Sequence, residues 1–254
     1  MNKRLYLCIT GSAISLLAGL FLSPMLMGKQ PGFTALMLLS ALQEILLIGL
    51  PAGLLLFISE KSARNAKAAL RWPGVFQSGL TMLAAVAYTM AGLLITLVAY
   101  LALKQTGVTV NEPPAIVPAS LPELLLAAGC AAIIPAICEE AMFRGLIQGF
   151  LSRRIGSRIA MYLSAALFAL LHFTLLGFPV LFVIGLLLSM LMHKGNSLPQ
   201  CMLFHAMYNF SVLSINYAGA VPGPGLMLAC AVILYYAMRT MLKEEPHGIQ
   251  NHRL

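Results

Sequence analysis

Two adjacent carboxylates, Glu139 and Glu140, share an otherwise apolar stretch with Arg144, Cys138-Glu139-Glu140-Ala141-Met142-Phe143-Arg144. The chain has eight acidic residues and none of them is Asp, so two neighbouring acids far from any polar loop are conspicuous. An ionisable side chain at membrane depth costs roughly 2.5–3.5 kcal/mol on insertion scales. Such a cost marks a site. Glu140 and Arg144 are i and i+4 on one helix face, where an ion pair offsets part of its own desolvation. Glu139 points about 100° away. It is left to face a cavity, where a carboxylate can act as a general base. The bland alternative is that both acids belong to a structural ion-pair network, but one pair needs only one carboxylate.

His172 is the second candidate, with Phe168 one turn earlier on the same face. An isolated histidine in a membrane is usually a packing residue, and its position argues otherwise here. The third pair, His205 and Asn209, is again i and i+4. Counted at 1.5 Å per residue from the nearest basic or polar end, Glu139 lies roughly 21 Å deep, His172 roughly 20 Å, and His205 and Asn209 roughly 11 and 17 Å. Three separate helices thus bring polar groups to one layer. A carboxylate and a histidine there can activate a water, while the second histidine and the amide hold a metal or stabilise an oxyanion. Glu139, His172, His205 and Asn209 could together ligate zinc. Asn is an unusual zinc ligand and no H-E-x-x-H occurs, and a glutamate-activated water without metal is equally sound chemistry. The cofactor question stays open at this point.

These residues need a membrane scaffold. The chain is 60% hydrophobic and 9% charged, with a mean hydropathy of +0.89. A soluble domain carries about 25% charged residues. The expectation is a single all-α, polytopic membrane domain over 1–254. Apolar runs place spans at Leu5 to Met27, Phe33 to Ile58, Ser78 to Leu103, Leu121 to Leu151, Ile159 to Leu176, Val180 to Met192, Ser197 to Tyr217 and Leu226 to Leu242. The fourth is longer than a bilayer needs, and Pro135, four residues before Glu139, is expected to kink it. The sixth is short and expected to pack inside the bundle, followed by a turn at His193 to Asn196. Ser197 is placed to cap the seventh helix, with Pro199 in its first turn.

With the N-terminus inside, eight spans put Lys3, Arg4, Lys61, Arg64, Lys67, Arg71, Arg153, Arg154, Arg158, Lys194, Arg239, Lys243 and Arg253 on the cytoplasmic side. Only Lys29 and Lys104 fall outside, so the positive-inside rule favours eight spans with both termini cytoplasmic. The net charge of +8 therefore reports topology and anionic lipid contact rather than nucleic-acid binding. The five cysteines lie singly in apolar segments with no C-x-x-C pair, which suggests neither a disulfide framework nor a zinc cage.

Glu139-Glu140-x-x-x-Arg144, Phe168-x-x-x-His172 and His205-x-x-x-Asn209, in that order, resemble the motif set of the CPBP intramembrane protease family. That family includes type II CAAX prenyl endopeptidases and the bacteriocin-processing or self-immunity proteins called Abi. The resemblance covers about Leu121 to Tyr217; residues 1–120, with three spans, match only in being hydrophobic, and 218–254 add the last span and a polar tail. It implies an eight-helix bundle in the cytoplasmic membrane with a polar cavity, and proteolysis of a membrane-associated protein or peptide. Carried over by position, Glu139 is the base and His172 its partner on the water. His205 and Asn209 form the oxyanion or metal side, and Glu140, Arg144 and Phe168 support them.

Two other classes compete. A non-enzymatic scaffold or self-immunity protein could bind a peptide in the same cavity. A proton-coupled transporter could use Glu and His as a relay, but no internal repeat of broken helices is visible. Glu44, mid-span beside Gln43, is expected to hydrogen-bond a neighbouring helix, with cavity lining as the alternative. Glu123 is expected near the outer surface, reaching to water.

Overall fold

A computed structural model describes residues 32–58, 70–108, 112, 114–195 and 197–243. Every regular element among them is helical. We number seven helices: α1 (Phe33–Glu44, continuing through Ile45–Gly49 and Leu50–Ile58), α2 (Val75–Thr106), α3 (from Leu121–Ala127 through Gly149–Ile155), α4 (Ser157–Leu170), α5 (Phe178–Gly195), α6 (Leu198–Ala218) and α7 (Pro224–Leu242). Five of them, α1, α2, α3, α5 and α7, are long and apolar enough to cross a membrane, so the protein is a multi-pass, all-helical membrane protein. The expected first span, Leu5 to Met27, the Lys61–Lys67 part of the basic loop and the polar tail from 244 onward lie outside the described residues.

Helix ends follow local chemistry. Ser197 accepts a hydrogen bond from the Gln200 amide at the start of α6, as expected, with Pro199 in the first turn. α6 ends at Gly219, whose φ of 62° only glycine adopts freely. Ser120 caps α3 by accepting from the Glu123 amide, and Glu123 Oε2 turns back to accept from the Ala119 amide at 2.7 Å. Glu123 is thus part of a reciprocal cap and stays partly exposed.

Two expectations are corrected. The fifth span does not run to Leu176: α4 has 14 residues and stops at Leu170, roughly 21 Å long and too short for a ~30 Å hydrocarbon core. The chain then turns through Phe173, whose φ is 51°. The sixth span is not short. α5 has 18 residues, beginning at Phe178 and absorbing His193, Lys194 and Gly195 into its last turn. Those residues look like a turn in sequence, but basic side chains favour a helix C-terminus. Pro135 lies within α3 without ending it. Its missing N–H is absorbed by a widened, π-type winding over Ala128–Ile133, immediately before it.

Lipid tails are as apolar as leucine, so burial alone cannot bind these helices together; close packing and polar contacts must. α5 crosses α4 where Gly185 meets Ala165; a Cβ at 185 would lie 3.0 Å from Ala165 Cα. α2 approaches α5 at Gly92, against Val180, and Tyr88 donates to the Val180 carbonyl. Gln200 on α6 donates to Thr81 on α2 at 3.1 Å. The central core joins Tyr88, Phe143, Phe168, Ile184, Leu188 and Phe204 from five helices.

Candidate active site

The motif helix α3 carries both acids, and a second widened turn, Ala141–Gln148, begins directly after Glu140. Such turns recur at functional sites because they rotate side chains out of the regular α-helical register. Glu140 is completely buried and Arg144 nearly so, and they pair at 2.9 Å as their spacing foretold. Arg144 also donates to the Gly185 carbonyl at 3.1 Å and lies 4.7 Å above the Phe168 ring centroid. One guanidinium therefore ties α3 to α5 and α4.

Phe168 is fully buried and holds both imidazoles. Its ring centroid is 4.7 Å from that of His172 and 5.5 Å from that of His205. His172 sits two residues past the end of α4, in the turn, where Nδ1 donates to the Phe168 carbonyl at 2.7 Å. A carbonyl only accepts, so the Nδ1 position carries the hydrogen and Nε2 is left as a lone pair. His205 is set in the same way: Nδ1 donates to Glu140 Oε1 at 2.9 Å, and Nε2 points onward. Non-helical backbone at membrane depth is tolerated where it lines a cavity, and the His172 turn does so.

Both Nε2 atoms converge on one oxygen. Glu139 Oε2 is 4.0 Å from His172 Nε2 and 4.0 Å from His205 Nε2, and it is buried without a hydrogen-bond partner. Three acceptors thus surround one small space, too far apart to touch and close enough to share a water. Glu139 and His172 line a cavity of about 180 Å³ with Gln43 and Glu44 of α1; its apolar wall includes Leu47, Met142, Phe143 and Phe173. Asn209, half-buried one turn beyond His205, is not among the lining residues and makes no hydrogen bond among the described residues.

The donor types suit zinc, but the spacing does not. Two ligand atoms on one tetrahedral zinc lie roughly 3.3 Å apart, given Zn–N and Zn–O bonds of about 2.0–2.1 Å. Both Glu139–His separations exceed that. Among the described residues no group of three or more His, Cys, Asp or Glu side chains is arranged to hold a metal ion.

Two acids escaped the motif pattern. Glu44 lines the cavity, the alternative expected for it, and it also reaches Glu139 on the neighbouring helix α3, which fits the first expectation. Its mid-span position in an apolar run was the available signal. Glu112, in the loop before α3, accepts from the Leu176 amide at 2.8 Å and from the Thr174 hydroxyl. It clamps the segment that follows His172, and nothing in a Pro-rich loop announces that role.

The fold and the cluster define an all-helical membrane protein with a half-buried carboxylate between two histidines. Residues 121–211 match the family model described as type II CAAX prenyl endopeptidase Rce1-like. The match covers the segment that carries both acids and both histidines, and it supports a likeness to the CPBP/CAAX proteases there. No curated protein and no solved structure matches the chain.

Proposed function

We propose that the protein is an intramembrane endopeptidase in which Glu139 activates a water for attack on a peptide carbonyl of a membrane-associated substrate. The observation that carries this reading is the convergence of Glu139 Oε2 and two imidazole Nε2 atoms on one water-sized space. The water donates to Glu139 and to His172 Nε2. As its oxygen attacks, Glu139 takes the proton, and the tetrahedral intermediate develops charge on the former carbonyl oxygen; when that oxygen re-forms the carbonyl, the C–N bond breaks and Glu139 gives the proton to the leaving amine. The free amide of Asn209 is one donor for that oxyanion. His205 is another only when doubly protonated, because neutral His205 spends its hydrogen on Glu140. Glu140 Oε1 holds the Nδ1 hydrogen of His205 and so fixes which ring nitrogen faces the site. No step is routed through a metal.

The apolar cavity wall suits a hydrophobic side chain next to the cleaved bond. We further propose eight membrane segments in one domain over 1–254, with the short α4 and the turn after it together making the fifth, both termini cytoplasmic, in a cytoplasmic membrane; reporter fusions at the loops test that topology. The activity is tested with the full chain in liposomes, using quenched peptides that end in a C-a-a-X sequence, with and without a prenyl group on the cysteine. Mass spectrometry of the fragments gives the cleavage site. Cleavage of either peptide that disappears in Glu139→Gln supports the reading, and undiminished cleavage by Glu139→Gln overturns it.

A further inference from the structure

Glu44 lies outside the matched segment, on α1, yet it shares the cavity with Glu139 and His172. The Glu44 and Glu139 carboxyl groups are within hydrogen-bonding reach of each other. Each also presents a buried oxygen without a partner, Oε1 of Glu44 and Oε2 of Glu139. The placement is built into the helix contact. The π-type turn Ile45–Gly49 starts immediately after Glu44. Gly49 then packs so closely on α3 that an added Cβ would lie 2.7 Å from Cys138 Sγ, one residue before Glu139. Glycine is what lets the two acids approach.

A hydrogen bond between two carboxyl groups needs a proton on one of them, and two adjacent anions in a dry pocket repel too strongly to coexist. The surroundings decide which acid keeps it. Facing the pair are Gln43 on α1, the Cys138 thiol on α3, His172 in the α4–α5 turn and His205 on α6. Both imidazoles sit on the Glu139 side, whereas Glu44 is followed along its own helix by Leu47 and Ile48 at the cavity wall.

We propose that Glu44 is a positioning residue for Glu139: its carboxyl supplies the proton of a hydrogen bond between the two acids and holds Glu139 as the carboxylate that faces His172 and His205. This rests on the reading of Glu139 as the base. The hydrogen bond fixes the Glu139 rotamer and keeps a single negative charge at the site. Glu44 acts through Glu139 and not on the substrate.

The test compares Glu44→Gln and Glu44→Ala in the full chain, reconstituted in liposomes, with the peptides above. A glutamine amide is neutral and can donate the same bond; alanine cannot. Glu44→Ala is expected to lower kcat roughly ten- to a hundredfold, the range for a hydrogen bond to a charged group, with KM nearly unchanged. Glu44→Gln restores most of that loss. Infrared spectra of the same samples read the proton without any substrate: the carbonyl stretch of a protonated carboxyl group, present in the parent protein at neutral pH, disappears in Glu44→Gln. Full kcat in Glu44→Ala overturns the proposal. So does a Glu44→Gln variant as slow as Glu44→Ala, or an unchanged infrared band. If Glu44→Ala does not fold, Glu44→Gln and the infrared band still decide. Persistent cleavage by Glu139→Gln would instead remove the base reading itself, and the two failures are therefore distinct.

Discussion

Glu140 Oε1 accepts a hydrogen bond from His205 Nδ1 at 2.9 Å, and the same oxygen is paired with Arg144 at 2.9 Å. One atom therefore does two jobs. It neutralises a buried guanidinium, and it fixes the tautomer that aims His205 Nε2 at Glu139. Glu140 Oε2 and Arg144 Nε remain buried without partners, so the pair is not fully satisfied. A purely structural pair would tolerate replacement by apolar groups; a pair that also orients a histidine would not.

That distinction can be measured. Arg144→Leu leaves a buried anion alone and is expected to destabilise the protein by about 3–5 kcal/mol. Adding Glu140→Gln removes the stranded charge and should recover part of the melting temperature in detergent. Cleavage should stay low in the double variant, because a glutamine amide can turn its N–H towards His205 Nδ1 and reverse the tautomer that Glu140 fixes. Recovery of both stability and activity would show that the Glu140 charge has no part in the chemistry.

Residues acting on the water and on the oxyanion should separate kinetically. Glu139→Gln and His172→Ala are expected to reduce kcat by about 10²–10⁴, the range for losing a positioned acid–base group. Asn209→Ala should cost about 10²–10³ in kcat, as for removal of one oxyanion donor. Glu139→Gln, whose amide oxygen can still accept from Glu44, and Asn209→Ala should hardly move the melting temperature, whereas His172→Ala also loses the hydrogen bond to the Phe168 carbonyl and should lower it somewhat.

The spacing of the cluster also predicts the response to chelators. With Glu139 Oε2 4.0 Å from each imidazole Nε2, activity in liposomes should survive 1,10-phenanthroline and EDTA, and metal analysis of the purified protein should find no stoichiometric zinc. Loss of activity that zinc restores would return Glu139, His172 and His205 to the role of ligands.

The motif residues were readable because chemistry and periodicity coincide: an ionisable pair at i, i+4 in an apolar run is too costly to be incidental, and His205 follows a well-marked cap at Ser197. The helix ends at α1, α6 and α7 were legible from Gly, Pro and Ser for the same reason. The end of α4 was not. Phe168 to Leu176 is continuously apolar apart from His172 and Thr174, so hydropathy runs straight through a turn whose backbone is set by tertiary contacts from Glu112. Glu44 was undervalued because its partner lies 95 positions away on another helix (139 − 44 = 95), and no local pattern encodes that distance.

The His172 turn itself can be tested at Phe173. This residue is exposed and adopts φ 51°, a left-handed conformation that costs an L-residue roughly 1–2 kcal/mol. Asn tolerates that region and a β-branched side chain does not. Phe173→Asn should keep the turn and a melting temperature near that of the parent, with any loss of activity appearing in KM if the ring contacts substrate across the cavity wall. Phe173→Ile keeps an apolar side chain but forces the backbone elsewhere. It should pull His172 Nδ1 off the Phe168 carbonyl and lower kcat about as far as His172→Ala. If Phe173→Ile and Phe173→Asn behave alike, the left-handed turn does not position His172, and the Glu112 clamp must hold it alone.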